Sequence, residues 1–456
     1  MGQVIFLAIA SFFILKAWGN FMKVRRNILL GRDEVIEGDT FERAKNVLLI
    51  AFGQKKMFKN VIPASLHLVI YVAFLFTQIE LIEILIDGIF GVHRFFAPFL
   101  GGLYTVIVST IEILSLLTFF ATLAFIARRS ILKVARFQQP ELKGFPTVDA
   151  YVILGLEIVL ITAIFCMNGA DTVLQTINPE HYHPTGFLPV SGFVGPALFG
   201  GVDAHSLVLI ERFGWWLHFG IVLAFLNYLP FSKHLHVILA FPNTFYAKLT
   251  SRGSMENMPA IMHEVRSMMG ISPPEGEATP SVSETEIPVF GASDVMGLSW
   301  KNVMDAYSCT QCGRCTAQCP ANITGKKLSP RKVMMDVRDR AAEIGRKLDT
   351  GDKLLVNKEL YPNDTVLTKE NFLDGQSLFD RIQPEELHAC TTCNACVEAC
   401  PILINPLDII LQMRRYEILT LSQGPKDWTP MFTSLENGGA VWQMSTERGA
   451  WATEGY

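Results

Sequence analysis

The sequence predicts an all-α protein in two parts, a membrane bundle of five helices followed by a soluble helical domain built around metal-ligating cysteines. Three observations lead there. Long uncharged, apolar stretches fill residues 1–240, whereas most charged residues of the C-terminal half follow Lys248. Eight of the nine cysteines fall in two short runs, the arrangement of metal ligands rather than of a disulfide scaffold. Strand signals are scarce throughout. Charged residues make up 18% of the 456 positions, against roughly 25% in soluble domains. A net charge of −4 argues against a nucleic-acid partner, and an apolar content of 50% argues against disorder.

A bilayer core about 30 Å thick takes roughly 20 apolar residues to cross as a helix. Segments at about 3–20, 62–88, 103–127, 149–170 and 212–231 meet that requirement. Lys23, Arg25 and Arg26 follow the first segment rather than precede it, so it reads as a retained anchor and not a cleaved signal. Loop charge then orients the bundle. Residues 21–61 carry nine Lys or Arg and 128–148 carry five, against one in 89–102 and none in 171–210. The expectation is a multi-pass protein of the inner (cytoplasmic) membrane, its N-terminus outside and everything after Phe231 in the cytoplasm.

Two histidines stand out next. His218 and His236 are 18 residues apart on the fifth segment and its extension. On a continuous helix that is five full turns, so both share a face about 27 Å apart along the axis. One ligand near each membrane surface is how a bundle holds two stacked haems. His234 points elsewhere on such a helix and is the poorer ligand. His67, near the cytoplasmic end of the second segment, is level with His236, and the pair can clamp one b-type haem. His218 has no such partner in the second segment. Buried acids are the third membrane signal: Glu80 and Glu83 (with Asp87) share a face of the second segment, Glu112 lies in the third and Glu157 in the fourth. Carboxylates in lipid cost a few kcal/mol and face the interior, where they either hold helices together or form a proton path. Quinone chemistry needs protons, which favours the path.

Residues 232–253 leave the membrane with cationic and aromatic anchors, 254–270 can form a Met-rich amphipathic helix, and 271–287 are a Pro/Glu/Ser/Thr linker. Beyond it the run C-x2-C-x2-C-x3-C-P occurs twice, at Cys309, Cys312, Cys315 and Cys319 and at Cys390, Cys393, Cys396 and Cys400. This is the bacterial ferredoxin spacing, in which the fourth cysteine ligates the other cluster. The assignment is therefore Cys309, Cys312, Cys315 and Cys400 on one [4Fe–4S] cluster, and Cys390, Cys393, Cys396 and Cys319 on the second. Two zinc sites are the competing reading, but zinc usually needs only two C-x2-C pairs. Ser329–Pro330 opens a helix to about Lys347, and Asn405–Pro406 another to about Leu419. An all-helical dicluster domain fits better than a compact hairpin ferredoxin. No G-x-G-x-x-G, complete P-loop or hydrolase triad is present.

The membrane half resembles the cytochrome b of the respiratory nitrate reductase gamma subunit. The likeness rests on His67 in helix two and on a last helix ending in LPFSKHLH, with His218 and His236 at that family's ligand positions. It departs at Thr77, where that family carries its second helix-two ligand. The soluble half, SCTQCGRCTAQCPANITGKKLSP with ACTTCNACVEACP and NPLDIILQMRRYEIL, is similar to iron–sulfur oxidoreductases of the heterodisulfide reductase type, as is the tail LENGGAVWQMSTERGAW. The resemblance implies a cytochrome b-type domain at 1–250, a linker at 251–295, a 2×[4Fe–4S] domain at 296–422 and a partner-contacting tail at 423–456. It implies haem b, menaquinone as the membrane substrate, and a cytoplasmic redox partner. That partner would be a subunit with a cysteine-rich CCG module, or an electron-transfer flavoprotein or dehydrogenase. The function expected is an electron-transfer subunit of a membrane quinone oxidoreductase. The alternative is a membrane-anchored ferredoxin that assists maturation of another metalloprotein, without haem or quinone chemistry.

Overall fold

The computed structural model describes residues 2–442 apart from 252, 256 and 272–288, together with 449 and 452. Most of the expected linker and of the tail beyond 442 lies outside the described residues. Five long helices form the first half: α1 (Gly2–Ile28), α2 (Val61–Phe90), α3 (Gly102–Ser130), α4 (Phe145–Ile177) and α5 (Ala204–Tyr228). All five are long and apolar enough to cross a membrane.

The first four helices run past the apolar segments that announced them at both ends, because backbone hydrogen bonding continues to the first residue able to stop it. At the end of α2, Gly91 adopts φ 70° and its N–H donates to Asp87 O at 2.8 Å. The largest correction is at α5, expected from 212 but begun at Ala204, where the Asp203 carboxylate accepts the Ser206 N–H at 3.0 Å. A short helix, Ser191–Phe199, in the α4–α5 connection was not anticipated. Large side chains such as Val4, Leu15, Val106 and Phe120 point outward, while Ala64, Ala73, Ser115, Thr122 and Ala163 are buried. Small residues inside and large ones outside is the pattern of helices packed in lipid. Gly214 shows why: a Cβ there would meet Ala163 O and Met167 N at 2.9 Å.

The extension of α5 departs from expectation more sharply. His236 does not continue the helix that carries His218. The helix ends at Tyr228, a tight turn spans Leu229–Phe231 around Pro230, and the Ser232 hydroxyl accepts the His234 N–H at 3.1 Å. Proline lacks the N–H that a continuing helix needs. A new helix, α6 (His236–Phe245), then starts on His236 itself.

The soluble half is built on α7 (Trp300–Ser308), α8 (Pro330–Thr350) and α9 (Pro406–Arg415), with α10 (Trp428–Gly438) beyond them. The Ser329 and Asn405 side chains cap α8 and α9, each followed by proline in the first turn. Pro259–Met268 forms a short helix within the Met-rich stretch. No strand occurs among the described residues, only the isolated bridges Arg32–Ser299 and Val356–Phe372. Phe290 N–H donates to the Thr420 hydroxyl and Ala292 N–H to Gln412 O, both at 2.9 Å. The packing of the C-terminal half thus reaches back to residue 290.

The two halves share one core. Val24, Ile28, Leu30 and Leu235 pack in the same cluster as Val303, Val333, Val337, Ile344 and Ile409. Asn27 Nδ2 donates to the Tyr307 hydroxyl at 2.9 Å, and the fully buried Arg331 pairs with Glu141 of the α3–α4 connection at 2.8 Å. These contacts gather at one end of the bundle, where α1, α3 and α5 finish and α2 and α4 begin.

Candidate redox centres

The two cysteine runs fold alike. Gln311 and Gly313 in the first, and Thr392 and Asn394 in the second, occupy the left-handed region at φ 56°, 71°, 56° and 60°. The same curl around Cys312 and Cys393 turns each loop's thiols toward a common interior. At Gly313 a Cβ would collide with the Arg331 guanidinium, so both space and backbone demand glycine. Short helices Arg314–Ala317 and Ala395–Ala399 follow, and Cys319 and Cys400 each precede the proline that turns the chain away. Backbone N–H groups point at sulfur: Ile404 donates to Cys400 Sγ at 3.3 Å and Thr392 to Cys390 Sγ at 3.4 Å.

The thiols come together in two groups. One cavity is lined by Cys309, Cys312, Cys315 and Cys400, with Met334, Ile402 and Ile404 around them. Cys315 interacts electrostatically with Cys309, Cys312 and Cys400 and more weakly with Cys396, whereas Cys390 and Cys396 interact with Cys319 and Cys393. Among the described residues no three His, Cys, Asp or Glu side chains converge tightly enough for a single metal ion. The thiols ring a hollow instead, which suits a polynuclear core better than one zinc ion. Burial pushes the Cys309 thiol up to about 11 and those of Cys396 and Cys400 to about 12. Such thiols become thiolates only beside positive charge, which iron supplies. Cys393 is the exposed member, so its set lies nearer the surface than the first.

His67 and His236 face each other across a gap, with ring centroids 6.4 Å apart. Metal–imidazole bonds are about 2 Å long, so two rings flanking one metal stand about 6 Å apart, centre to centre. Each Nδ1 is engaged: His67 with Gln54 Oε1 at 3.2 Å, His236 with Lys233 O at 3.0 Å. That leaves Nε2 of each ring as the free base, the outer-shell arrangement of metal-ligating histidines. Burial lowers the pKa of His236 and takes His234 down to about 3, so both stay neutral. His234 lies beside this pair, its ring 5.6 Å from His236 and 5.4 Å from Phe225. The two rings of His67 and His236 thus stand at about the separation of ligands flanking one metal. His218 is buried in α5 with its Nδ1 3.5 Å from Leu160 O, and among the described residues no ring contacts it.

Two segments tie the histidine pair to the cysteines. Lys56 and Lys59, in the loop that carries Gln54, reach Val397 and Glu398 between Cys396 and Cys400, and Arg314 donates to Lys56 O at 3.4 Å. On α6, seven residues or about 10 Å after His236, Asn243 donates to Ile402 O at 2.9 Å. Lys301, paired with Asp305 at 2.5 Å, donates back to Asn243 at 3.1 Å.

The acids divide. Glu83 accepts the Phe96 N–H at 3.0 Å and the Tyr104 hydroxyl at 2.7 Å; Asp87 accepts the N–H groups of Arg94 and Phe95. Glu112 accepts from Val190 N, Ser191 N and the Ser191 hydroxyl. These three hold the loops at the end of the bundle away from the cysteines. Glu157 is half-buried in α4, and Glu80 is buried with Oε1 unpartnered. Sequence reasoning missed Gln54, whose buried position shows only in the fold. It also missed Asp171 and Glu211, which lie one residue outside the expected spans of 149–170 and 212–231. Longer spans would have exposed both by the rule that found Glu80.

Residues 308–404 match the family model described as a 4Fe-4S dicluster domain. The chain is 26% identical over 443 residues, 94% of its own length, to a "Probable iron-sulfur-binding oxidoreductase FadF" of Bacillus subtilis (strain 168). It is 24% identical over 464 residues, 99% of its length, to an "EtfAB:quinone oxidoreductase" of Syntrophomonas wolfei. These alignments cover 57% and 59% of the two relatives, so the chain spans under three fifths of their lengths. A third relative, a "Probable membrane-anchored ferredoxin" of Chromohalobacter salexigens, is 34% identical over 140 residues, 30% of this chain and 19% of that protein. No solved structure matches.

Proposed function

We propose that this membrane protein with a dicluster domain is the electron-transfer subunit of a quinone oxidoreductase. Electrons pass between a cytoplasmic partner and a membrane quinone, menaquinone by the resemblance of the membrane half. Two [4Fe–4S] clusters and one haem b supply one-electron relay when bound. Cys309, Cys312, Cys315 and Cys400 hold the inner cluster, Cys390, Cys393, Cys396 and Cys319 the outer one, and His67 with His236 the haem. The observation that carries the reading is the His67–His236 pair, 6.4 Å apart with both Nδ1 atoms engaged and joined through α6 to the loop of Cys400.

The outer set, with Cys393 exposed, is the point of entry from the partner. A relative named for EtfAB supports an electron-transfer flavoprotein in that role; a subunit with a CCG module fits the same place. Loop charge supports a dicluster domain in the cytoplasm and an N-terminus outside the inner membrane.

The test is composition of the purified chain. The expected result is about eight non-haem irons, the content of two [4Fe–4S] clusters, with b haem by pyridine haemochrome. His236→Ala should abolish the haem spectrum while leaving the iron in place. Full iron without haem in the unsubstituted chain would overturn the quinone reading and leave an anchored ferredoxin.

A further inference from the structure

At the end of the bundle away from the cysteine domain, a polar cavity lies between α2, α4 and α5. Its walls include Glu80, Asp87, His93, Arg94, Glu211 and Arg212. Most of the charge around it is committed. Arg94, 4% exposed, donates to Asn168 Oδ1 at 2.6 Å and Asp171 Oδ2 at 3.1 Å, and His93 Nε2 lies 3.2 Å from Asp171 Oδ1. Glu83, Asp87 and Glu112 are taken up by the loop N–H and hydroxyl groups described above.

Glu80 differs. It sits one turn deeper on α2 than Glu83, is 5% exposed, and its Oε1 has no hydrogen-bond partner among the described residues. Glu211, 2% exposed and on the opposite wall, lies 2.9 Å from Arg212 Nε, and the Arg212 side chain is 42% exposed. The cavity has room for a water or two, and a buried carboxylate oxygen left unpaired against a polar space of that size is where water belongs. Glu80, Glu211 and Arg212 thus line one polar space, and the Arg212 side chain reaches the protein surface. The groups facing Glu80 are Glu83 on its own helix, Glu112 from α3, Arg94 from the loop and Glu211 from α5.

We infer that Glu80, with cavity water and Glu211, is a proton-exchange site serving the two-electron, two-proton carrier of the membrane. The inference rests on the quinone reading above. Reduction of a quinone takes two electrons and two protons and forms two O–H bonds at its carbonyl oxygens. The electrons arrive singly from the cysteine end, drawn from the reduced flavoprotein or other reductant that docks there. Glu80 gives up its carboxyl proton to one quinone oxygen, is reprotonated from solvent by way of Glu211, and supplies the second proton to the other oxygen in the same way.

The experiment uses the full chain with its iron and haem loaded. Reduced-minus-oxidised infrared spectra, taken with chemical reductant, should contain a deuterium-sensitive carboxyl band that Glu80→Gln removes and Glu80→Asp restores. Menaquinol formation in the same variant should fall about 10²-fold, the lower range for loss of a positioned acid, with iron, haem and melting temperature unchanged. Glu211→Gln should slow proton uptake without removing the band. An unaltered band and rate in Glu80→Gln would overturn the proposal. The quinone reading fails separately, and visibly, if the unsubstituted chain binds no haem or reduces no quinone; the infrared band still tests Glu80 in that event.

Discussion

Gln54 is the residue on which the histidine pair most depends. It is buried at φ 49° in a loop of lysines, and its amide oxygen alone orients the His67 ring. The counterpart on His236 is a backbone carbonyl that no substitution can delete. Gln54→Leu should therefore weaken haem affinity roughly 10–100-fold, the usual cost of losing an outer-shell partner. Haem titration of the purified chain reads that directly, and unchanged affinity would remove Gln54 from the site. Cys312 offers the matching test in the other centre: Cys312→Ser should deplete one cluster and leave the signal of the second. Retention of both clusters would refute the assignment of Cys312 as a ligand.

At the scale of elements, close approach and buried charge decide what each helix tolerates. Gly214 and Gly220 lie on the same helix, but a Cβ meets backbone at 2.9 Å at the first and nothing within 4 Å at the second. Gly214→Ala should destabilise by about 1–3 kcal/mol through overpacking, while Gly220→Ala should be neutral or stabilising by up to about 1 kcal/mol; thermal unfolding in detergent separates them. On α8, the buried Arg340 bridges Asp294 at 2.6 Å and Asp374 at 2.7 Å. Burial by itself would raise the Asp374 carboxyl, yet its hydrogen bonds to Arg340 and Lys347 outweigh that and hold it well below the usual range. A depressed carboxyl adds stability that is present above the ordinary value of about 4 and is lost as pH falls below it. Arg340→Met should cost about 3–5 kcal/mol at neutral pH and flatten that acid-side loss. Much of this scale was legible beforehand. Apolar length found all five spans, and Ser329–Pro330 and Asn405–Pro406 marked the starts of α8 and α9. What escaped had a common cause. Periodicity assumes an unbroken helix, and Pro230 breaks the one that was to carry both His218 and His236. Hydropathy ends a span at its last apolar residue, which cut off Asp171 and Glu211.

For the whole molecule the governing feature is the seam between its halves. Arg331 has no exposed surface and meets Glu141 at 2.8 Å and Arg136 O at 2.7 Å, both in the α3–α4 connection. Arg331→Met leaves Glu141 without its cation, and hydrogen exchange should rise together in the α3–α4 connection and the first turn of α8; exchange confined to α8 would mean the seam is held elsewhere. The seam has a kinetic consequence. Val24, Ile28 and Leu235 are locked into the same core as Val303 and Val337, so under the proposed function the dicluster domain is a fixed relay rather than a swinging carrier. Internal transfer then runs over constant distances and is indifferent to solvent viscosity. Only the arrival and departure of the partner depend on diffusion, so turnover measured against added glycerol should slow in second-order encounter while the internal step keeps its pace.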